Sequence, residues 1–258
     1  MGGAIARGLS ASGLGGRLLL IDPAASTYNV QFLRKLGASF AQNATALTGL
    51  NPEAIILAVK PQAMSEVAPD YALAAKDAVV ISIAAGMTID RLFRWLDSPS
   101  GLVRAMPNLP ASIGKGITAA FATPTTSMAQ RQLSENILRA IGDFVWLGEE
   151  QLLNAVTAVS GSGPAYVFLL TEALSIAAEK MGIPQTIAKL LARKTVEGAG
   201  ALLSADPAEA SDLRQSVTSS GGTTDAALKI LMANGHFQKL VTEAVQAATT
   251  RAFALEKS

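Results

Sequence analysis

The amino-acid sequence predicts an α/β domain followed by an all-α domain. Short, continuous apolar runs alternate with helical patterns in the first part of the chain, and from Glu149 onwards only Ala- and Leu-rich helical stretches follow. Continuous apolar runs are typical of strands buried on both faces, and strands that alternate with helices favour a parallel sheet. We therefore predict an α/β domain at 1–148 and a helical domain at 149–258.

Six apolar runs predict the strands of the first domain, and helical patterns lie between them. The runs occupy residues 17–22, 54–59, 78–83, 102–107, 116–122 and 144–147, and the last two are expected at the sheet edge. Helices are predicted at 28–36, from Pro61 to about residue 75, from Thr88 onwards and near 126–141. We expect no strand after Glu149.

The composition excludes several classes of protein. Half of the 258 residues are hydrophobic, 16% are charged, and the formal net charge is +1. Such a chain can bury a large core, and it lacks the basic excess that is typical of nucleic-acid-binding proteins. The sequence has no cysteine and one histidine, His236, which argues against thiolate, multi-histidine and Ser-His-Asp sites. We expect no metal site and no nucleic-acid partner.

The sequence also bears on the compartment. No basic region followed by an apolar signal core opens the chain, so the cytoplasm is the expected location. The longest uncharged window, 151–171, carries a Ser-Gly-Ser-Gly-Pro segment near its middle and would span a bilayer poorly. We therefore expect no membrane partner.

The start of the chain has part of a dinucleotide-binding pattern. A small-residue helix opens at Gly2, and Asp22 stands 20 residues later at the end of a predicted strand. In a dinucleotide-binding βαβ unit, an acidic residue at about this distance can bind the adenosine ribose. The first strand and the first two glycines of that fingerprint are not in the sequence. An unrelated small-residue helix and an ordinary Asp-Pro turn are the alternatives.

Residues that follow three of the predicted strands are candidate ligand contacts, because ligands bind at the carboxyl ends of parallel strands. They are Ala58, Val59, Lys60 and Pro61 after one strand, Ala84, Ala85 and Gly86 after the next, and Asn108 after the third. Each group has a structural alternative. Pro61 suits the first position of a helix, small residues at 84–86 suit tight helix packing, and the prolines around Asn108 suit a rigid turn.

Two glycine-rich segments of the helical half are candidates for chemistry. The segment 159–166 resembles a serine nucleophile elbow, but it lacks glycine two residues before the serine, so Ser162 is expected to cap a helix. At 219–225 a glycine pair and two threonines open a helix, whose free N–H groups suit a carboxylate or phosphate. Simple N-capping is the alternative there. His236 is expected to be a surface or capping residue.

Five motifs, taken in order, closely resemble those of the pyrroline-5-carboxylate reductases. They are 58–62 (AVKPQ), 82–86 (SIAAG), 104–108 (RAMPN), 160–168 (SGSGPAYVF) and 217–224 (VTSSGGTT). The match runs across essentially the whole chain, and its Gly-Gly-Thr-Thr segment is the most specific part. Leu109 departs from the family, which usually has threonine there. The family's opening strand and its Gly-x-Gly-Asn turn would lie upstream of Met1, where we expect the coding DNA to encode them.

The resemblance implies a Rossmann domain joined to a helical dimerisation domain of the 6-phosphogluconate dehydrogenase type, in a homodimer or higher homo-oligomer. It implies that NADPH or NADH delivers hydride to the C=N carbon of 1-pyrroline-5-carboxylate to give L-proline, the last step of proline biosynthesis. A cyclic imine can arrive already protonated, so orientation and hydride proximity matter more than a histidine base.

The resemblance also assigns residues. The cofactor contacts would be Gly2, Asp22, Asn43, Ala58, Val59, Lys60, Pro61, Ala84, Ala85, Gly86 and Asn108. The substrate contacts would be Ser219, Gly222, Thr223 and Thr224, of which Thr224 bonds the ring nitrogen as the catalytic residue. Asp22 would favour NADH because it repels a 2′-phosphate.

Two other functions are weighed against this one. An imine or β-hydroxyacid reductase of the same architecture would place a catalytic Lys or Asp on the first interdomain helix, where 160–174 offers only Glu172. A non-catalytic dinucleotide-binding protein is the other alternative, because the phosphate-binding turn is absent from the sequence. Turnover of 1-pyrroline-5-carboxylate separates these classes.

Overall fold

The computed structural model describes residues 1–257, apart from the side chains at 27–29 and 33. Its contacts divide the chain into two compact units, of which the first comprises Met1–Ser162 and Ala248–Ser258 and the second comprises Gly163–Ala247. The first unit is α/β and the second is helical. The predicted division of function, with cofactor binding by residues 1–148 and substrate binding by residues 149–258, stays a prediction.

The strands of the first unit form two sheets instead of the single parallel sheet that the sequence predicts. In one sheet β1 (Leu19–Ile21) pairs in parallel with β2 (Ser39–Ala41). The other has the order β3-β4-β5-β6-β7. Its strands are β3 (Ala54–Leu57), β4 (Val79–Ser82), β5 (Gly101–Met106), β6 (Gly116–Ala122) and β7 (Gly142–Trp146). Within residues 1–257, no strand pairs β1 with β3.

Strand directions in the larger sheet are mixed. β3, β4 and β5 are parallel, β6 is antiparallel to β5, and β7 is parallel to β6. β6 therefore lies inside the sheet, and of the two strands expected at the edge only β7 is there. All six predicted strands are found near their predicted positions. The seventh strand, β2, was not predicted, because its three residues, Ser-Phe-Ala, do not form an apolar run.

The core of the first unit lies on both faces of the larger sheet. Val79 and Ile81 belong to one cluster and Val80 to the other, and all three are fully buried. Successive residues of a strand point to opposite faces, so a continuous apolar run requires cover on both sides. This arrangement confirms the interpretation of the uninterrupted runs.

Helices of the first unit pack on its two sheets. They are α1 (Gly2–Leu9), α2 (Thr27–Lys35), α3 (Met64–Val67), α4 (Ile89–Trp95), α5 (Met128–Arg139) and α6 (Leu152–Val156). Thr88 caps α4 and accepts a hydrogen bond from the Arg91 N–H at 3.4 Å, and Ser127 caps α5 in a capping box. The helix predicted from Pro61 to about residue 75 is instead a series of 3₁₀ turns around the single turn of α3.

The second unit consists of helices joined by short turns. They are α7 (Gly163–Lys180), α8 (Gln185–Ala205), α9 (Ala210–Ser216), α10 (Thr223–Leu231) and α11 (His236–Lys257), whose last turns belong to the first unit. A π turn at Thr157–Gly161 precedes α7, and Ser162 donates its hydroxyl to the Thr157 carbonyl at 3.1 Å. His236 is exposed.

Large apolar side chains remain exposed on these helices. Leu169, Leu190 and Ile230 expose 65%, 57% and 77% of their surface. Among the described residues, one helical stretch, Leu152–Lys180, is long and apolar enough to cross a membrane by length and composition. Apolar surface of this extent usually marks an interaction site.

Candidate active site

The carboxyl ends of β3, β4 and β5 bring the predicted cofactor residues of the first unit to one edge of the sheet. The strands are parallel and adjacent, so the segments 58–61, 84–86 and 107–108 leave it side by side. α1 begins at the same edge, because a Cβ built on Gly2 would lie 3.0 Å from the Cβ of Ala58. Pro61 occupies the first position of a 3₁₀ turn, as the structural alternative predicts, and Lys60 is exposed.

The loop after β4 requires a glycine. Gly86 has φ of +73°, and a Cβ built on it would lie 3.1 Å from the Cβ of Leu255 in the last turn of α11. The Ser82 hydroxyl accepts a hydrogen bond from the Ala84 N–H at 3.4 Å. The loop of Ala84, Ala85 and Gly86 is therefore fixed at both ends, by a strand and by the C-terminal helix.

Asn108 has a structural role that the sequence did not indicate. It is buried, and its Oδ1 accepts a hydrogen bond from the Ile117 N–H at 3.0 Å. This bond ties the loop after β5 to the start of β6, which fits the expected rigid loop. Its contact with a nicotinamide stays a prediction.

Asp22 and Asn43 follow the neighbouring parallel strands β1 and β2, so they lie at one edge of the smaller sheet. Each side chain also closes a local turn: Asp22 Oδ1 accepts from the Ala24 N–H at 2.9 Å, and Asn43 Oδ1 accepts from the Thr45 N–H at 3.2 Å. The turn that the alternative interpretation of Asp22 predicts is therefore present in the structure. It leaves the second carboxylate oxygen of Asp22 for a ligand, and the ribose contact stays a prediction.

The four predicted substrate residues lie together in the second unit, at the start of α10. Gly222 is the N-cap residue, and a Cβ built on it would lie 2.5 Å from the Ser219 hydroxyl, so a side chain at this position would require that hydroxyl to move. The Gly222 N–H donates to the Ser219 carbonyl at 3.0 Å. The N–H groups of Thr223 and Thr224 belong to the first helical turn, which has no helical acceptor for them.

Asp225 organises this helix start. Its Oδ2 accepts from the Gly221 N–H at 3.0 Å and from the Lys229 ammonium at 2.9 Å. The hydrogen bond from Lys229 and then that from Gly221 lower the pKa of Asp225. The backbone amides of Gly221 and of the predicted substrate residue Gly222 are therefore occupied within the segment. The amides of Thr223 and Thr224 are left for an anion.

A buried ion-pair triad was missed by sequence reasoning. Arg104 on β5 is 4% exposed, and its Nη1 lies 2.8 Å from Glu150 Oε1 and 2.7 Å from Glu256 Oε1. Glu150 also accepts a hydrogen bond from the Ile89 N–H at 2.8 Å. The triad joins a central strand, the start of α4 and the end of α11. An arginine inside an apolar strand run was the available signal, because charged residues are rarely buried without partners.

Comparison with known proteins decides the family. The model of the pyrroline-5-carboxylate reductase dimerisation domain matches residues 150–255, and that of the coenzyme F420-dependent NADP oxidoreductases matches residues 1–86. A pyrroline-5-carboxylate reductase from Pseudomonas aeruginosa is 41% identical, over 84% of this chain and 81% of its own. The chain belongs to the pyrroline-5-carboxylate reductase family.

Solved structures of pyrroline-5-carboxylate reductases have the same fold. The enzyme from Coxiella burnetii matches with a TM-score of 0.91 and 37% identity, over 99% of this chain and 94% of its own. The one from Plasmodium falciparum, with NADP bound, matches with a TM-score of 0.82 and 25% identity, over the same shares. These matches confirm the predicted family and fold class, a Rossmann-like domain followed by a helical dimerisation domain.

Membership in the pyrroline-5-carboxylate reductase family accounts for the exposed apolar surface of the second unit. The match at 150–255 is to a dimerisation domain, which supports the predicted homo-oligomer. The membrane-length stretch Leu152–Lys180 falls wholly inside that match. A second copy of the chain explains its exposed leucines without a bilayer.

Proposed function

We propose that this chain reduces 1-pyrroline-5-carboxylate to L-proline by hydride transfer from NAD(P)H, the final step of proline biosynthesis. One observation carries the proposal beyond family membership. The start of α10 brings together two free backbone amides, the residues Thr223 and Thr224 with their hydroxyls, and the Ser219 hydroxyl, which lies 2.5 Å from where a Cβ on Gly222 would stand. Such a helix start suits a carboxylate.

The residues at the edge of the larger sheet fit a dinucleotide. Gly2 keeps open the space where α1 meets the end of β3, and Gly86 lets the backbone turn after β4 in a conformation that other residues avoid. We assign cofactor binding to Gly2, Asp22, Asn43, Ala58, Val59, Lys60, Pro61, Ala84, Ala85, Gly86 and Asn108. Of these, Asn108 is placed beside the nicotinamide. The bound cofactor supplies the hydride.

The substrate is held by its carboxylate. The amides of Thr223 and Thr224, aided by the partial positive charge of the helix N-terminus, bind that group. The Thr224 hydroxyl hydrogen-bonds the ring nitrogen and thereby orients the C=N carbon towards the hydride donor. The imine nitrogen already carries its proton, so the hydride addition alone yields the secondary amine. No histidine base is required.

Three further assignments belong to this proposal. The ionised Asp22 accepts hydrogen bonds from a ribose 2′-hydroxyl and repels a 2′-phosphate, which favours NADH over NADPH. Residues 1–148 bind the cofactor, and residues 149–258 bind the substrate and the partner copy. We place the enzyme in the cytoplasm.

A kinetic experiment tests the proposal. The purified chain is mixed with 1-pyrroline-5-carboxylate and NADH or NADPH, and oxidation of the nicotinamide is followed by absorbance. We expect turnover with both cofactors, and about tenfold or greater loss of kcat in Thr224→Ala, because a hydrogen bond to a charged group is removed. Cofactor affinity should be unchanged.

Thr242→Ala is the matched control, because that hydroxyl donates to a carbonyl of its own helix and is assigned to neither the substrate nor the cofactor. It should keep the kcat of the parent protein. Absence of turnover in the parent protein would overturn the proposed reaction. Equal kinetics in Thr224→Ala and Thr242→Ala would remove Thr224 from its role.

A further inference from the structure

A cavity of about 650 Å³ lies in the first unit beside the loop after β4. Its size falls within the range of small-molecule sites. Four segments of the chain contribute to its lining: the turn after β3, the loop after β4, helix α4 and the end of α11. None of the reaction steps proposed above uses the side chains of α4.

Helix α4 presents a cationic and aromatic face to this cavity. Arg91, Arg94 and Trp95 are spaced i, i+3 and i+4, so they lie on one side of the helix. Leu92 and Leu96 on the other side are fully buried in the core. The core packing of these leucines therefore fixes the orientation of the helix, and both arginines line the cavity.

The positive charge of the cavity is incompletely balanced. Arg94 pairs with Asp90 at 2.9 Å, whereas the half-buried Arg91 has no ion-pair partner within the described residues. No residue of the cavity lining is acidic. Partial burial of an unpaired cation is unfavourable, and an anion in the cavity would offset that cost.

We infer that this cavity, the Arg91 pocket, binds a small organic anion with one carboxylate or phosphate group and a flat apolar body. Arg91 and Arg94 pair with the anionic group, since a guanidinium presents two parallel donors to either oxyanion. The Trp95 ring packs against the body. The Gln62 amide and the Ser65 hydroxyl, which also line the pocket, provide neutral hydrogen bonds.

Occupation of the Arg91 pocket is coupled to the cofactor, an inference that rests on the proposed function. Pro61 and Ala85 line the pocket and are also assigned to cofactor binding. Gly86 is the next residue, and Leu255, which packs against it, lines the pocket too. An anion in the pocket therefore contacts both loops that are assigned to the cofactor, and each ligand changes the affinity of the other by the same factor.

Calorimetric titration of the purified chain with benzoate and with phenyl phosphate tests the inference, and inorganic phosphate serves as the probe without an apolar body. We expect saturable binding of at least one aromatic probe, and weaker binding of inorganic phosphate. The two aromatic probes distinguish a carboxylate from a phosphate ligand. Arg91→Gln should lower the affinity for the aromatic probe about tenfold, which is the effect of losing one charge-assisted hydrogen bond. Arg91→Lys should retain part of that affinity.

Arg34→Gln is the matched control, because Arg34 is exposed in the last turn of α2 and its loss changes the net charge equally. It should bind the probes like the parent chain, and thermal melts verify that all variants fold. Equal binding by Arg91→Gln and the parent, or no binding of any probe, would overturn the inference.

Repeating the titration with saturating NADH tests whether the pocket is separate from the cofactor site. We expect binding to persist with a changed affinity. Complete loss of probe binding would show that the cavity is part of the cofactor site, which also overturns the inference. These titrations contain no imine substrate, so their failure is distinguishable from failure of the reductase assay.

Discussion

The two units of this chain bury apolar surface in different ways. The larger sheet of the first unit is covered on both faces, and Val79, Val80 and Ile81 are fully buried. In the second unit Leu169, Leu190 and Ile230 stay more than half exposed. The first unit completes its core with its own helices, whereas the second has the surface of a protein that completes its core with a second copy. The first unit also contains a buried ion-pair triad, whereas Lys194 and Glu197 of the second unit form an exposed pair.

The largest expected loss of stability comes from removing the buried positive charge of the ion-pair triad. Arg104→Met leaves Glu150 and Glu256 facing each other without a cation, and we expect the free energy of unfolding to fall by about 3–5 kcal/mol. Urea denaturation followed by tryptophan fluorescence measures this change. Arg104→Lys should recover part of the loss.

An exposed ion pair of the second unit supplies the control. Lys194 lies 2.8 Å from Glu197, and both side chains are more than half exposed. Lys194→Met should cost less than about 1 kcal/mol. If Arg104→Met cost no more than Lys194→Met, the contrast between buried and exposed charge would be wrong.

The next effect concerns the exposed apolar face. Leu190→Asp places a charge on α8 where the dimerisation match predicts a partner copy, and desolvation of that charge should weaken association about 100-fold, or roughly 3 kcal/mol. Sedimentation velocity over a range of concentrations measures the shift. Leu73→Asp changes an 86% exposed leucine of the first unit and should leave the oligomer intact. Equal association of both variants would argue against a partner on α8.

Two glycine substitutions, one in each unit, extend the comparison. Gly86→Ala forces alanine to φ of +73° against Leu255 and should cost about 1–2 kcal/mol. Gly198→Ala lies inside α8 with open space around it and should stabilise the chain by about 0.5–1 kcal/mol. Thermal melts measure whether each substitution raises or lowers the stability of the chain. A destabilising Gly198→Ala would indicate that the partner copy approaches the helix backbone there.

The smallest effect is a pH dependence that both units share. Hydrogen bonds from Lys229 and Gly221 lower the pKa of Asp225, and those from Arg139 and Trp146 lower the pKa of Glu135. A carboxyl whose folded pKa is lowered contributes stability above its unfolded pKa, and this contribution is lost as the pH falls through the folded value.

Carbon-13 NMR titration of the two carboxyl groups measures these pKa values. Both should titrate below their ordinary values of 3.8 for Asp and 4.5 for Glu. Lys229→Met should raise the pKa of Asp225 and leave that of Glu135 unchanged. An ordinary pKa for Asp225 in the parent chain would show that its bond to Lys229 does not persist in solution.

Local patterns in the sequence predicted most of the fold and part of the site. The six apolar runs and the Gly-Gly-Thr-Thr helix start are encoded by neighbouring residues, so composition and spacing were sufficient to find them. The break between β1 and β3 was not predicted, because strand pairing joins segments far apart. Arg104 reaches Glu150 and Glu256 across 46 and 152 residues, so its position in an apolar run indicates burial but does not identify its partners.

The return of the final helix to the first unit has a consequence for synthesis on the ribosome. Residues 1–162 emerge first, but Leu255 and Glu256, which pack on Gly86 and neutralise Arg104, emerge only after the whole second unit. Until then a nascent first unit has an incompletely paired arginine and an uncovered loop at its cofactor edge. Domains generally fold in the order in which they are made. Here the unit that is made first must finish last.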